Sequence, residues 1–307
     1  MIASLARIIT IGRITLTEAV RQKVLNVLVV FAIVLVASSV SISQVEMPSL
    51  DSAGLFDAQI KFVKNAGCGV MEVFGFCIAV LSTAQLIPQE LHNRTIYTIL
   101  AKPVRRSEFL LGKFLGVILL LALCVALMSL AFAVTLYWQE VRGIQAATTA
   151  WANGPDWKSQ PGVLDAYNHD VAQIVGQVRD PQLIEAILLI FTKLIMTAGI
   201  ALLISTFSTS SIFTIVTTFM IYLIGHMEGT ARDIWLGRGA EVTFWQSGLV
   251  GLISMLIPDM NSFTIISEIQ SGNHVPWAHT LTLMGYADVY LIVILAVSIV
   301  VFNYREI

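Results

Sequence analysis

Charge is scarce in this sequence. Of its 307 residues only 12% are Asp, Glu, Lys or Arg, about half the share of an ordinary soluble domain. A soluble fold of this length needs far more polar surface to cover its core, so a typical soluble enzyme is excluded. A basic excess is missing too: the formal net charge is −2, which argues against a nucleic-acid binder. Cysteine is limited to Cys68, Cys77 and Cys124, with no CxxC pair and no basis for a disulfide framework. Pro276 separates His274 from His279, and the ten methionines contain no MxxM cluster, so no soft-metal site is expected. There is no GxSxG elbow, no HExxH helix and no glycine-rich phosphate loop: Gly112-Lys113 is preceded five residues earlier by Ser107 rather than glycine. No internal repeat stands out, which weakens an inverted-repeat secondary transporter.

What is present is apolar surface. Hydrophobic residues make up 56% of the chain and the mean hydropathy is +0.80, the balance of an all-α polytopic membrane protein. Charge-poor runs near the ~20 residues that a bilayer core requires fall at 24–42, 70–87, 110–138, 183–207, 211–226 and 280–302, predicting six transmembrane helices. The polar triplet Ser208-Thr209-Ser210 separates the fourth from the fifth. A shorter apolar stretch, 242–257, carries Gly248 and Gly251 and ends at Pro258-Asp259. It reads as a re-entrant or interfacial hairpin on the outer side. Residues 1–23 lack the short apolar region and small-residue cleavage site of a signal peptide. They mix Arg7, Arg13, Glu18, Arg21 and Lys23 with Leu5, Ile8, Ile9, Ile14 and Leu16, as an amphipathic helix in the membrane interface does.

Orientation follows from the basic residues. With both termini cytoplasmic, the inner segments hold ten basic residues (Arg7, Arg13, Arg21, Lys23, Arg94, Lys102, Arg105, Arg106, Lys113 and Arg305) against four acidic ones. All six tryptophans then fall on the outer side or its boundary, where amphipathic rings prefer the headgroup level. The segment 139–181 reads as an outer insertion with turn signals at Asn153-Gly154-Pro155-Asp156 and Gln160-Pro161-Gly162, and one helix is expected over 164–178 between turns. Its Trp151 and Trp157 suit it to docking an outer-side protein.

The loop between the second and third spans carries the sharpest signal. A helix over about 89–101 brings Glu90, Arg94 and Tyr97 near one another. Pro103 stops it, and Ser107 is placed to cap the third span with Glu108 in its first turn. The run Glu90-x-x-x-Arg94-Thr95-Ile96-Tyr97, followed by Leu100-Ala101-Lys102-Pro103-Val104-x-Arg106-Ser107-Glu108-Phe109-Leu110-Leu111-Gly112-Lys113, resembles the membrane subunit of an ABC-2 type transporter. Thr17–Lys23, Leu256–Phe263 and Phe302–Ile307 resemble that family's helix before the first span, its last outer loop and its tail. More narrowly, the chain resembles the copper-processing-type permeases of nitrous-oxide reductase maturation systems.

The resemblance implies a single ABC-2 transmembrane domain over 1–307 in a bacterial-type inner membrane. It is paired with a second copy and driven by a separate cytoplasmic ATPase that binds ATP and Mg, with no cofactor in this chain and no catalysis by it. It further implies that 89–101 is a coupling helix, with Glu90, Arg94, Thr95, Tyr97, Lys102, Pro103, Arg105 and Arg106 as the ATPase-coupling set. The complex then exports a substrate or transmits mechanical work to an outer partner.

A different reading starts from Lys193, about ten residues into the fourth span and so near the bilayer midplane. A lysine there costs roughly 2.5–3.5 kcal/mol and must face protein or water. Glu185, two turns earlier on the same helix, is too far for an easy i, i+4 contact, so Glu72 or Asp288 across a helix interface is the expected partner. Such a polar patch lines a translocation path or fixes helix register. In an ion-coupled transporter or an intramembrane enzyme Lys193 would be the working group.

Overall fold

The computed structural model describes residues 2–42, 52–88, 90, 105–152, 161–237, 257–270 and 275–305. Among the described residues every regular element is helical: α1 (Ile2–Val20), α2 (Lys23–Ile42), α3 (Ser52–Ala84), α4 (Arg106–Ala152), α5 (Pro161–Val178), α6 (Gln182–Phe207), α7 (Ser211–Gly237), a 3-10 turn (Asn261–Phe263), α8 (Ile266–Gln270) and α9 (Trp277–Tyr304). The proposed re-entrant stretch 242–257, except its last residue, and nearly all of the proposed coupling helix 89–101 lie outside the described residues.

Among the described residues four rods are long and apolar enough to cross a bilayer: Phe56–Ala84, Arg106–Thr149, Leu164–Phe207 and Trp277–Tyr304. A fifth arises if α1 and α2 are taken together across their 70° bend. The apolar part of α7, Ser211–Met227, is shorter than these. The bend between α1 and α2 is held by a side chain: Asn26 Nδ2 donates to the Val20 carbonyl at 3.0 Å, satisfying one of the carbonyls that a helix end leaves without a partner.

Prolines and a serine turn set the other breaks. Pro88 follows α3, and the residue before a proline is steered away from helix. Pro161 opens α5, where its missing N–H costs nothing. Between α6 and α7, Ser208 Oγ donates to the Ser210 carbonyl at 2.8 Å and accepts from the Ser210 amide at 3.1 Å, closing a three-residue reversal. At the start of α4 the expected cap is corrected. Ser107 lies inside the helix, and it is the Glu108 carboxylate that reaches back to the Arg105 amide at 3.4 Å, as the third residue of a capping box does.

The helices pack around α6, which touches α3, α4, α7 and α9 and is buried or half-buried at every position from 185 to 206. At one end of this bundle, here the basic end, lie the starts of α1 and α4 and the ends of α6 and α9. The opposite end carries α5. There α4 runs well past the 138 expected for the third span. Its 47 residues make about 70 Å of helix, more than double a hydrocarbon core of ~30 Å. α5 folds back along the last turns of α4 and leads through the 179–181 turn into α6, so the described parts of the segment read as an outer insertion are the two arms of a helical hairpin continuous with two membrane rods.

Wide apolar faces stay exposed on α2 (Val24, Val27, Val30, Val34), α7 (Ile212, Phe213, Val216, Met220) and α9 (Leu281, Val289, Ile292, Val297). In water such faces are a liability; in hydrocarbon they are the expected surface, since lipid tails are as apolar as the side chains.

Candidate functional site

The basic end is laced by charge. Lys113, in the second turn of α4, is 8% exposed and lies between two carboxylates: Glu90 Oε1 at 2.7 Å and Glu18 Oε2 at 3.4 Å. A buried ammonium requires such partners, and here they come from α1 and from the loop that leaves α3. One turn earlier, Glu108 accepts from the Ser4 hydroxyl at 2.5 Å and pairs with Arg7 Nε at 3.4 Å. Between these polar ties α1 and α4 touch almost backbone to backbone. A Cβ on Gly116 would sit 2.5 Å from the Thr15 Cβ, and one on Gly112 would sit 2.7 Å from the Ile11 Cβ, the close approach that small residues permit between membrane helices.

Two arginines close the same end. Arg106 Nη1 donates to the carbonyls of Phe302, Asn303 and Arg305 at 3.4, 3.2 and 3.0 Å, a cation on the negative end of α9. Arg305 donates to the Thr206 and Ser208 carbonyls at 2.6 and 3.3 Å, doing the same for α6. Burial lowers the Arg305 guanidinium from its ordinary value, though arginine stays charged in proteins.

A second cluster lies deep between α3, α6 and α7. Lys193 is 1% exposed and pairs with Glu72 at 2.5 Å. Glu72 also accepts from the Tyr222 hydroxyl at 2.8 Å, while Lys193 donates to Thr264 Oγ1 at 3.3 Å. The ammonium stands 5.4 Å from the Tyr222 ring centre, and His226 stacks beyond that ring at 6.1 Å with its Nδ1 buried and without a hydrogen-bond partner among the described residues. The segment 257–265 closes over this cluster. It is seated by Gly225, whose carbonyl accepts from the Met260 amide at 3.0 Å and whose missing Cβ leaves room for the Pro258 carbonyl, 2.7 Å from where that atom would be. A cavity of about 70 Å³ beside Glu72 is lined by Asn65, Cys68, Phe263 and Thr264 among others, room for a very few waters.

The end opposite the basic one is stitched differently. Arg179 grips Glu140 through two bonds, Nε to Oε2 at 3.0 Å and Nη2 to Oε1 at 2.8 Å. Lys64 of α3 reaches Asp180 at 3.3 Å. Across the α4–α5 hairpin, Thr148 Oγ1 and Tyr167 Oη are 3.1 Å apart, and Trp151 Nε1 donates to Asp170 at 3.2 Å.

Of the residues singled out from the sequence, Glu90 turns inward to Lys113, Arg106 turns onto α9, and Arg105 is exposed at the rim. Arg94, Thr95, Tyr97, Lys102 and Pro103 lie outside the described residues, as does Trp157. Lys193 takes Glu72 of the two partners left open; Asp288 stands apart on the exposed side of α9. Glu185 bonds to the Thr280 hydroxyl at 2.7 Å instead. Sequence reasoning missed Glu18, Lys113, Tyr222, His226 and Thr264 as members of these clusters. Glu18 and Lys113, within quoted motifs, and Tyr222 and His226, polar groups in an apolar run, left a signal there, whereas Thr264 left none. Among the described residues no group of three His, Cys, Asp or Glu is placed to hold a metal ion.

A family model described as ABC-2 family transporter protein matches residues 9–307, which is nearly the whole chain. No curated protein matches it.

Proposed function

The chain belongs to the ABC-2 transporter family, and from that premise we propose that it is the homodimeric permease of a complex whose two cytoplasmic ATPase subunits drive it through the loop after α3. Members of this family are membrane transport components that work with an ATP-binding subunit, so the chain is a multi-pass membrane protein and not itself the hydrolase. The basic end then faces the cytoplasm with both termini, in a bacterial-type inner membrane crossed six times, with α7 as the fifth span. ATP and Mg are bound by the partner.

The observation that carries the reading is the Lys113 junction. A load applied to the loop at Glu90 passes through Lys113 to α4 and through Glu18 to α1, and the glycine contacts between those helices make them move as one body. Arg94, Thr95, Tyr97, Lys102, Pro103 and Arg105 supply the surface that the ATPase grips. Exchanging Glu90 for Gln and Arg94 for Ala together should abolish permease-dependent ATP hydrolysis while membrane insertion persists. Unchanged hydrolysis in that variant would defeat the assignment.

Whether the stroke exports a substrate or performs work on an outer protein is a separate matter, and the projecting hairpin favours the second. α4 and α5 extend well past the bilayer thickness, which suits a handle for an outer-side protein better than a pore wall. Shortening the hairpin by removing 146–170 should release that partner in an affinity purification and leave ATPase stimulation intact. Loss of stimulation with the partner still bound would favour export. The nitrous-oxide reductase subtype is carried by the sequence resemblance alone, and identification of a co-encoded or co-purified reductase-maturation protein would test it.

A further inference from the structure

α9 carries a charge where a membrane helix tolerates it least. Of its 28 residues Asp288 is the twelfth, about 4 Å along the axis from the helix midpoint. The edge of a ~30 Å hydrocarbon core is then about 10 Å away. That is far beyond the reach of a side chain two carbons long, so this carboxylate cannot snorkel to the headgroups as a lysine does. Intramembrane carboxylates face the bundle interior or find a counter-charge; among the described residues Asp288 does neither. It is exposed, as are Leu281, Gly285 and Ile292, four positions at three- and four-residue steps that share one face. α9 packs on α6 and α4, both described from end to end, and their cations are committed elsewhere. Lys193 is paired with Glu72, Lys113 with Glu90 and Glu18, Arg106 caps the end of α9, and Arg142 lies over the Trp138 ring.

We propose that this face of α9 is a lateral docking surface for a different membrane protein, whose transmembrane helix bears a lysine or arginine at the depth of Asp288. Charge selects that occupant. An unpaired carboxylate in hydrocarbon calls for a cation, and a second copy of this chain has none to offer. Its apolar stretches 24–42, 72–87, 114–141 and 211–227 contain no lysine or arginine, and a two-fold contact centred on this face sets Asp288 against its own copy. Shape agrees with charge. Gly285, one turn from Asp288, borders open space: a Cβ there would meet nothing within 4 Å. A glycine that its own bundle does not use for packing lets a foreign helix come close, within hydrogen-bond reach of the carboxylate. Leu281 and Ile292, to either side, supply the apolar contact that any lipid-facing helix accepts.

The test places the full-length protein in phosphatidylcholine bilayers with a labelled, leucine- and alanine-rich transmembrane peptide. The peptide carries one central lysine, or leucine in its place, and association is read by energy transfer. The lysine peptide should bind about tenfold more tightly than the leucine peptide, the ratio that one interhelical polar contact in a bilayer gives. Asp288→Asn should abolish that preference, and Asp288→Lys should move it to a peptide with a central glutamate. Gly285→Leu should weaken binding of the lysine peptide severalfold. Asp288→Asn and Gly285→Leu should both melt as the wild type does, because among the described residues Asp288 bonds to nothing and Gly285 has room beside it. Should Asp288→Lys fail to insert, Asp288→Asn decides alone. Equal binding of the two peptides by the wild type, or an undiminished preference in Asp288→Asn, would overturn the proposal. So would loss of self-association in Asp288→Asn, which gives the face to a second copy. Rapid labelling of Asp288→Cys by a membrane-impermeant maleimide, above the level of the native cysteines, would also overturn it by placing this position on a water-filled path.

Discussion

Lys193 and Lys113 are both buried lysines paired with a glutamate from α3 or the loop after it, yet they inhabit opposite situations. Lys193 and Glu72 are enclosed by α3, α6, α7 and the 257–265 segment, and each has a further hydroxyl partner. Lys113 and Glu90 sit at the rim of the bundle, and the third member, Glu18, is 60% exposed. An enclosed pair has nowhere to send an orphaned charge, so it behaves as a lock on helix register. A rim pair has water on one side and two carboxylates competing for one ammonium, so it can change partners at little cost. The same two residue types therefore give a fixed joint in one place and a movable one in the other.

Replacing Lys193 by Met should produce the largest effect, because it strands the Glu72 carboxylate among apolar neighbours. The expected loss is about 3–5 kcal/mol, read as a collapse of the melting temperature in detergent. Replacing Glu72 by Gln in the same chain should recover most of it. A double variant no better than the single one would mean that Lys193 does more than neutralise Glu72.

Gly225→Val comes next. The added carbons meet the Pro258 carbonyl and should cost about 1–3 kcal/mol, as overpacking does. It should also loosen the 257–265 segment, seen as faster amide exchange at Met260, while Lys193 and Glu72 stay paired. Slow exchange at Met260 would show that the segment is held by Thr264 and not by Gly225.

Lys113→Met should cost less stability than Lys193→Met, since Glu18 is already 60% exposed and Lys113 stands at the rim of the bundle. Its signature is functional: permease-stimulated ATP hydrolysis should fall severalfold while the melting temperature moves little, and Lys113→Arg should restore most of the stimulation. If Lys113→Met melts as low as Lys193→Met, the contrast between a lock and a joint is lost. The smallest effect belongs to Asp57→Asn near the start of α3. Asp57 pairs with Lys61 one turn on at 2.8 Å, with the two side chains 37% and 46% exposed, and solvent screens such pairs until they contribute little, so its melting curve should overlay that of the wild type.

Much of this was legible in one dimension. The apolar runs located the cores of α2, α3, α4, α6, α7 and α9, because a helix that faces lipid or protein on every side shows as an uninterrupted hydrophobic stretch. They did not locate the helix ends. α3 begins at Ser52 and α4 continues to Ala152, both through sequence polar enough to read as loop, because Lys64 and Glu140 there find ionic partners across the interface. Membership of the family was readable from the loop motif between the second and third spans, a local run of residues. The cluster around Lys113 was not, since Glu18, Glu90 and Lys113 are far apart in sequence and carry no shared period.

The sequence by itself determined that this chain is a helical membrane protein and marked Lys193 as a charge in need of a partner, because hydropathy and the cost of burying charge are properties of single residues. Only the tertiary structure decided that the partner is Glu72 while Asp288 faces outward, and that Glu90 turns inward to Lys113. Those outcomes depend on which helix lies against which and at what height. That is fixed by close packing between segments distant in the chain, such as the glycine contacts of α1 with α4 and of α7 with Pro258, and no local pattern encodes it.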